Sequence, residues 1–149
     1  MTQRRSASSL RTVGVLVDGE WRVARSARVN VLLVGSDGLV ETIVDALRPY
    51  FCEPIAVWHP TSGLVLPPIG DPGTLILQDV GAMSKDDQSR LCDWLEVTAG
   101  RTRVVSTTRQ PLFPLLEGGA FVETLYYRLN VLCLQVAECD GLSAPFARP

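Results

Sequence analysis

The chain has 149 residues and a formal net charge of −2, with 14 basic against 16 acidic side chains, which is long enough to bury one core without disulfide or metal staples. Apolar residues at 46% and charged residues at 20% exclude an intrinsically disordered composition, and the near balance of charge excludes a global field that would hold nucleic acid. No apolar run is long enough to span a bilayer and no signal-peptide core follows the first arginines, so a cytoplasmic protein with no membrane partner is expected.

The first stretch, "MTQRRSASSLRT" (1–12), is basic, Ser-rich and acid-free, and reads as a solvated flexible tail. Next, "VGVLVDGEWRVA" reads as a hairpin around Asp18–Gly19, or else "EWRVARSA" forms a short helix leading into the first strand. Residues 1–28 are therefore expected to be a partly disordered N-terminal extension. "VNVLLVG" (29–35) is a continuous β-branched and leucine run closed by glycine, the pattern of a strand buried on both faces. Leu39, Ile43, Leu47 and Tyr50 recur at helical spacing, and Pro49 marks the expected end of that helix. "PIAVW" (54–58) is a second short strand, and the proline-rich stretch 59–73 is loop.

"TLILQDV" (74–80) is the third expected strand. Ser84 with Asp87 three residues on gives a capping-box-like start to a helix, whose buried stripe is Leu91, Trp94 and Leu95. "TRVVSTT" (102–108) is a fourth strand, "PLFPLLEGG" a short helical turn, "FVETLYYRL" (121–129) a helix and "VLCLQV" (131–136) a fifth strand. Such alternation argues for a parallel sheet covered by helices on both faces, an α/β/α sandwich of three layers.

The cysteines, Cys52, Cys92, Cys133 and Cys139, show no C-x-x-C pairing. They read as three buried thiols and one near the tail. His59 is the one histidine and reads as a loop residue beside Pro60, which leaves little for a histidine metal site or a Ser-His triad. Trp58 and Trp94 read as packing residues, with Trp21 the most exposed of the three tryptophans.

In an open parallel sheet, ligands sit beyond the carboxyl ends of the strands. The first strand end offers Gly35, Ser36, Asp37 and Gly38 before a helix, a turn that could cradle phosphate on backbone N–H groups. The third offers Gln78 and Asp79, and the fourth Thr107, Thr108 and Arg109. A receiver-like phosphoacceptor reading would use Asp37, Asp79 and Thr107, although "VLCLQV" supplies no terminal lysine.

"GTLILQDVGAM", then "RVVSTTRQPL", then "GGAFVETLYYRLNVLCLQV" together resemble the AAA+ ATPase domain of sigma-54-dependent transcription activators. That family reads G-T-L-F-L-D-E-I-G-E-M, R-I-I-A-A-T-N-R-D-L and G-x-F-R-x-D-L-Y-Y-R-L-N-V. The resemblance spans residues 29 to 136 in the right order, and "LYYRLNV" (125–131) is its most specific piece. It implies a P-loop-NTPase-like domain with a mainly parallel five-stranded sheet, here a core over 29–137 with a tail over 138–149 and no helical lid.

Residue by residue, the resemblance also implies a lost catalytic set. The family's phosphate loop G-E-S-G-T-G-K-E falls on "GSDGLVET". Gly35 and Gly38 match, the third glycine is Val40, and the lysine that neutralises the β- and γ-phosphates is Glu41. Two unit charges about 4 Å apart interact by roughly 4 kcal/mol at an effective dielectric of 20, so a carboxylate there opposes nucleotide. The magnesium-holding aspartate is Gln78, the water-activating glutamate is the shorter Asp79, and the sensor asparagine is Arg109.

Of two family arginines that reach a neighbouring subunit's nucleotide, one is Val122 and the other is the retained Arg128. Arg128 and Tyr127 are thus candidates for a subunit or partner interface, with Tyr126 and Tyr127 expected to be one core and one rim residue. The G-A-F-T-G-A loop used to engage sigma-54 is missing between Gly35 and Gly73. The expected function is therefore non-catalytic: a pseudo-ATPase module acting by protein contacts in bacterial transcriptional or signalling regulation. Its expected partner is an AAA+ homologue or itself, with no direct DNA binding and no cofactor, ATP and magnesium being disfavoured. The alternatives are a weak ATP-binding or ATPase domain and the receiver-like domain.

Overall fold

The computed structural model describes residues 22–25, 29–98 and 100–136. Five strands, β1 (Val31–Val34), β2 (Ile55–Trp58), β3 (Gly73–Leu77), β4 (Thr102–Thr108) and β5 (Leu132–Gln135), form one sheet in the order β2-β3-β4-β1-β5. Every pairing is parallel. Helices α1 (Asp37–Leu47), α2 (Lys85–Thr98), α3 (Phe113–Glu117) and α4 (Glu123–Leu129) connect them, with short 3₁₀ turns at Arg48–Tyr50 and Val80–Ala82.

Strand alternation divides the core into two layers. Leu32 and Val34, Leu75 and Leu77, and Val104 point to one face, where Leu91, Trp94 and Leu95 of α2 and Leu125 and Leu129 of α4 cover them. Val31, Leu33, Ile76 and Val105 point to the other, under Val40, Ile43, Val44 and Leu47 of α1. Burying such side chains contributes about 1.5–3 kcal/mol each, and a sheet covered on both faces needs the continuous apolar strands the sequence supplies. The α/β fold of three layers expected from the sequence is the fold observed.

Two polar residues hold the amino ends of the strands in place. Asn30 accepts the N–H of Val104 through Oδ1 at 2.9 Å and donates through Nδ2 to the carbonyl of Arg128 at 2.9 Å. Arg103, only 5% exposed, donates to the carbonyls of Val29 and Ala24 and lies over the Phe51 ring. Ala24 is fully buried and residues 22–25 are helical. The packed core therefore reaches back before residue 29, and the short-helix reading of this stretch fits. The hairpin around Asp18–Gly19, Trp21 and Cys139 lie outside the described residues.

Several local expectations need correction. The third strand ends at Leu77, not at Val80, because Asp79 turns the chain with φ 53° and ψ 56°. Tyr50 does not join the buried stripe of α1; the 3₁₀ turn carries it outward to 51% exposure. Cys52, Cys92 and Cys133 are half-buried rather than buried. The receiver-like alternative requires the order 2-1-3-4-5, whereas β1 here lies between β4 and β5. His59 is an exposed loop residue as expected, and no helix among the described residues is long and apolar enough to cross a membrane.

Candidate nucleotide-type cleft

The carboxyl ends of β1, β3 and β4 open onto one cleft of about 430 Å³, lined in part by Asp37, Glu41, Gln78, Asp79, Thr107 and Arg109. The strand order creates it. From β1 the chain leaves toward β2 on one side, and from β4 it returns to β5 on the other, so the crossovers diverge there.

Gly35 follows β1, and its N–H donates to the Thr108 carbonyl at 2.9 Å. A Cβ on Gly35 would stand 2.5 Å from the carbonyl oxygen of Val136, closer than real Cβ atoms approach oxygen. The absence of a side chain lets β1 and β5 stay paired to this point. Ser36 is the N-cap of α1, and the helix begins at Asp37. Asp37 and Gly38 therefore belong to the helix and do not precede it in a loop. The connection from β1 to α1 is reduced to Gly35 and Ser36.

Glu41 lies one turn into α1, exposed on the cleft side. Asp37, Glu41 and Asp45 recur at helical spacing along that bank, and all three line the cleft; the i, i+4 spacing was the available sequence signal for the acidic bank. Arg48 lies beside Asp45 at 3.9 Å. Gln78 is half-buried at the end of β3, its N–H bonded to the Trp58 carbonyl at 3.0 Å. Asp79, also half-buried, adopts the left-handed conformation that aspartate tolerates better than most residues. Its N–H donates to Thr107 Oγ1 at 3.0 Å.

Arg109, on the opposite bank, is paired with Asp37. Nε meets Oδ1 at 3.2 Å and Nη2 meets Oδ2 at 3.1 Å. The structure thus brings Glu41, Gln78, Asp79 and Arg109 to one cleft, with Gly35 in the connection from β1 to α1 and Gly38 inside that helix. Asp37 as the partner of Arg109 is a contact the sequence reading did not find. Among the described residues, no group of His, Cys, Asp and Glu is arranged to hold a metal ion.

Arg128 and Tyr127 lie elsewhere, on α4. Arg128 Nη2 stands 3.7 Å from Glu96 Oε2 of α2, and its Nε is buried without a hydrogen-bond partner. Tyr127 is 59% exposed and packs edge-on against half-buried Tyr126, with ring centroids 5.2 Å apart. Tyr127 is the expected rim residue, whereas Tyr126 packs against the core only partly buried.

Known proteins share this fold. NtrX from Brucella abortus in complex with ATP superposes with a TM-score of 0.65 at 20% identity, over 91% of this chain and 41% of that one. The P-loop NTPase domain of a sigma-54 transport activator from E. coli superposes at 0.54 and 17% identity, over 72% of this chain and 95% of that one. At that identity the likeness establishes the fold alone, that of P-loop NTPase domains. In sequence, the DNA-binding transcriptional regulator NtrC of Rhizobium meliloti is 39% identical over 75 residues, covering 43% of this chain and 16% of that protein. The acetoin catabolism regulatory protein of Cupriavidus necator is 42% identical over 71 residues, covering 40% of this chain and 11% of that protein. The matched stretch is thus a small part of each of these curated relatives. The Sigma-54 interaction domain model matches residues 20–139, and the chain belongs to that family.

Proposed function

We propose that this member of the sigma-54 interaction family is a pseudo-ATPase, a domain that keeps the nucleotide-hydrolase fold without hydrolysing nucleotide and acts through protein contacts in transcription regulation. The observation that carries the reading is the start of α1 at Asp37, which leaves Gly35 and Ser36 as the whole connection from β1. A phosphate cradle needs a longer glycine-rich loop with its N–H groups converging on the anion.

The donor set does not fit a magnesium nucleotide either. Glu41 stands where phosphate needs a cation, and neutral Gln78 stands where a hard cation needs a carboxylate. Asp37, Asp45 and Asp79 add further negative charge to the lining. A partner surface is assigned to α4, where Arg128 and exposed Tyr127 would meet a second copy or an AAA+ homologue. Direct DNA contact is not part of the reading.

Calorimetric titration with ATP and with ADP, each with and without magnesium, tests it. No saturable heat is expected; magnesium-dependent binding in the micromolar range would overturn it. The second reading, residual weak ATP binding, is favoured by one observation, the persistence of the cleft with Asp79 and Arg109 on its walls.

A further inference from the structure

Arg109 follows β4 and Asp37 opens α1, yet the two meet across the mouth of the cleft through two nitrogens and two oxygens, at 3.2 and 3.1 Å. A guanidinium uses the same fork to hold a phosphate group. Asp37 also occupies the first turn of an eleven-residue helix, where unpaired backbone N–H groups favour an anion. One carboxylate therefore stands where both anion-attracting features of the cleft would act on an incoming phosphate.

We infer that Asp37 is a built-in anion, an autoinhibitory contact that occupies Arg109 and bars phosphate-bearing ligands from the cleft. The inference deepens the pseudo-ATPase reading and rests on it. The other cation of the lining, Arg48, already has Asp45 beside it. Glu41 and Asp79 remain as carboxylates facing the space. Arg109 is thus the cation whose release would change the cleft's preference. Both partners of the pair are largely exposed, at 63% and 60% of their side-chain surface, so the contact can open without unfolding the helix. An exposed pair of this kind shifts an equilibrium by up to about fivefold.

The test uses the full chain and inorganic pyrophosphate as the probe. Melting curves are recorded for the wild type, Asp37→Asn, Arg109→Ala and the double variant over a pyrophosphate series. Asparagine keeps a polar group at the head of the helix while removing the charge. In Asp37→Asn, pyrophosphate is expected to raise the melting temperature at a concentration about fivefold below any that moves the wild type. Arg109→Ala and the double variant should not respond. An equal response in wild type and Asp37→Asn, no response in Asp37→Asn, or a response that survives loss of Arg109 would each overturn the inference. Failure of the pseudo-ATPase reading is separately visible as magnesium-ATP binding by the unmodified chain.

Discussion

Gln88 is a fully buried amide whose Oε1 accepts the backbone N–H of Val122 at 2.7 Å. Its Nε2 donates to the carbonyls of Met83 and Ala120 at 2.9 and 3.1 Å. One side chain on α2 thereby satisfies backbone groups both before its own helix and before α4. Removing it while preserving volume, as in Gln88→Met, strands these buried and part-buried groups, each at a cost of about 1–3 kcal/mol. We expect a net loss of about 3 kcal/mol, read as a lower urea midpoint with unchanged slope. A loss below about 1 kcal/mol would show that relaxation or water re-satisfies the groups.

The two glycines of the phosphate-loop resemblance should behave oppositely. Gly35→Ala places a Cβ 2.5 Å from the Val136 carbonyl oxygen, and we expect it to destabilise by more than about 2 kcal/mol. Gly38 lies inside α1 with nothing within 4 Å of an added Cβ. Gly38→Ala should therefore be neutral or stabilise by up to about 1 kcal/mol. Thermal melts of both variants decide it, and destabilisation by Gly38→Ala would mean that α1 does not begin where described.

Restoring charge should restore affinity. Glu41 is exposed and Gln78 half-buried, so Glu41→Lys with Gln78→Asp is expected to fold. The double variant should bind magnesium-ATP at least about tenfold more tightly than the wild type, well short of the Coulomb limit because the site is solvated. Calorimetry reads the change. No gain would mean that the short β1–α1 connection, not the charge, closes the site.

Arg128 joins Glu96 at a long 3.7 Å, and both remain partly exposed. Such pairs contribute little, so Arg128→Ala should change stability by no more than about 0.5 kcal/mol. If α4 is a partner surface, the same variant should weaken self-association or capture of an AAA+ homologue, read by light scattering and pull-down. A large drop in melting temperature with association intact would make Arg128 a structural residue.

What the sequence disclosed was mainly local. The strands were readable because β1 is an uninterrupted apolar run and β4 is rich in β-branched residues, and the start of α2 because Ser84 and Asp87 lie three residues apart. Ser84 Oγ does accept the Asp87 N–H, at 3.2 Å. The end of β3 was not readable, since the turn at Asp79 is held by Thr107, 28 residues away. Gln88 gave no signal either, because a glutamine inside a helix looks solvent-facing until the chain 34 residues on supplies its partner. The cleft was legible in part. The resemblance brought Glu41, Gln78, Asp79 and Arg109 to one place, but Asp37 and Arg109 are 72 residues apart, and nothing in either neighbourhood announces their contact.

The close approach of Gly35 and Val136 also has a mechanical meaning. Val136 donates its N–H to the Val34 carbonyl at 2.7 Å while its own carbonyl crowds Gly35, so residue 136 is held against the end of β1 by two successive contacts. A pull or rotation applied to the chain at that residue would reach the first turn of α1 through a single rigid step. A spin label or fluorophore at residue 136 would therefore report on the connection between β1 and α1.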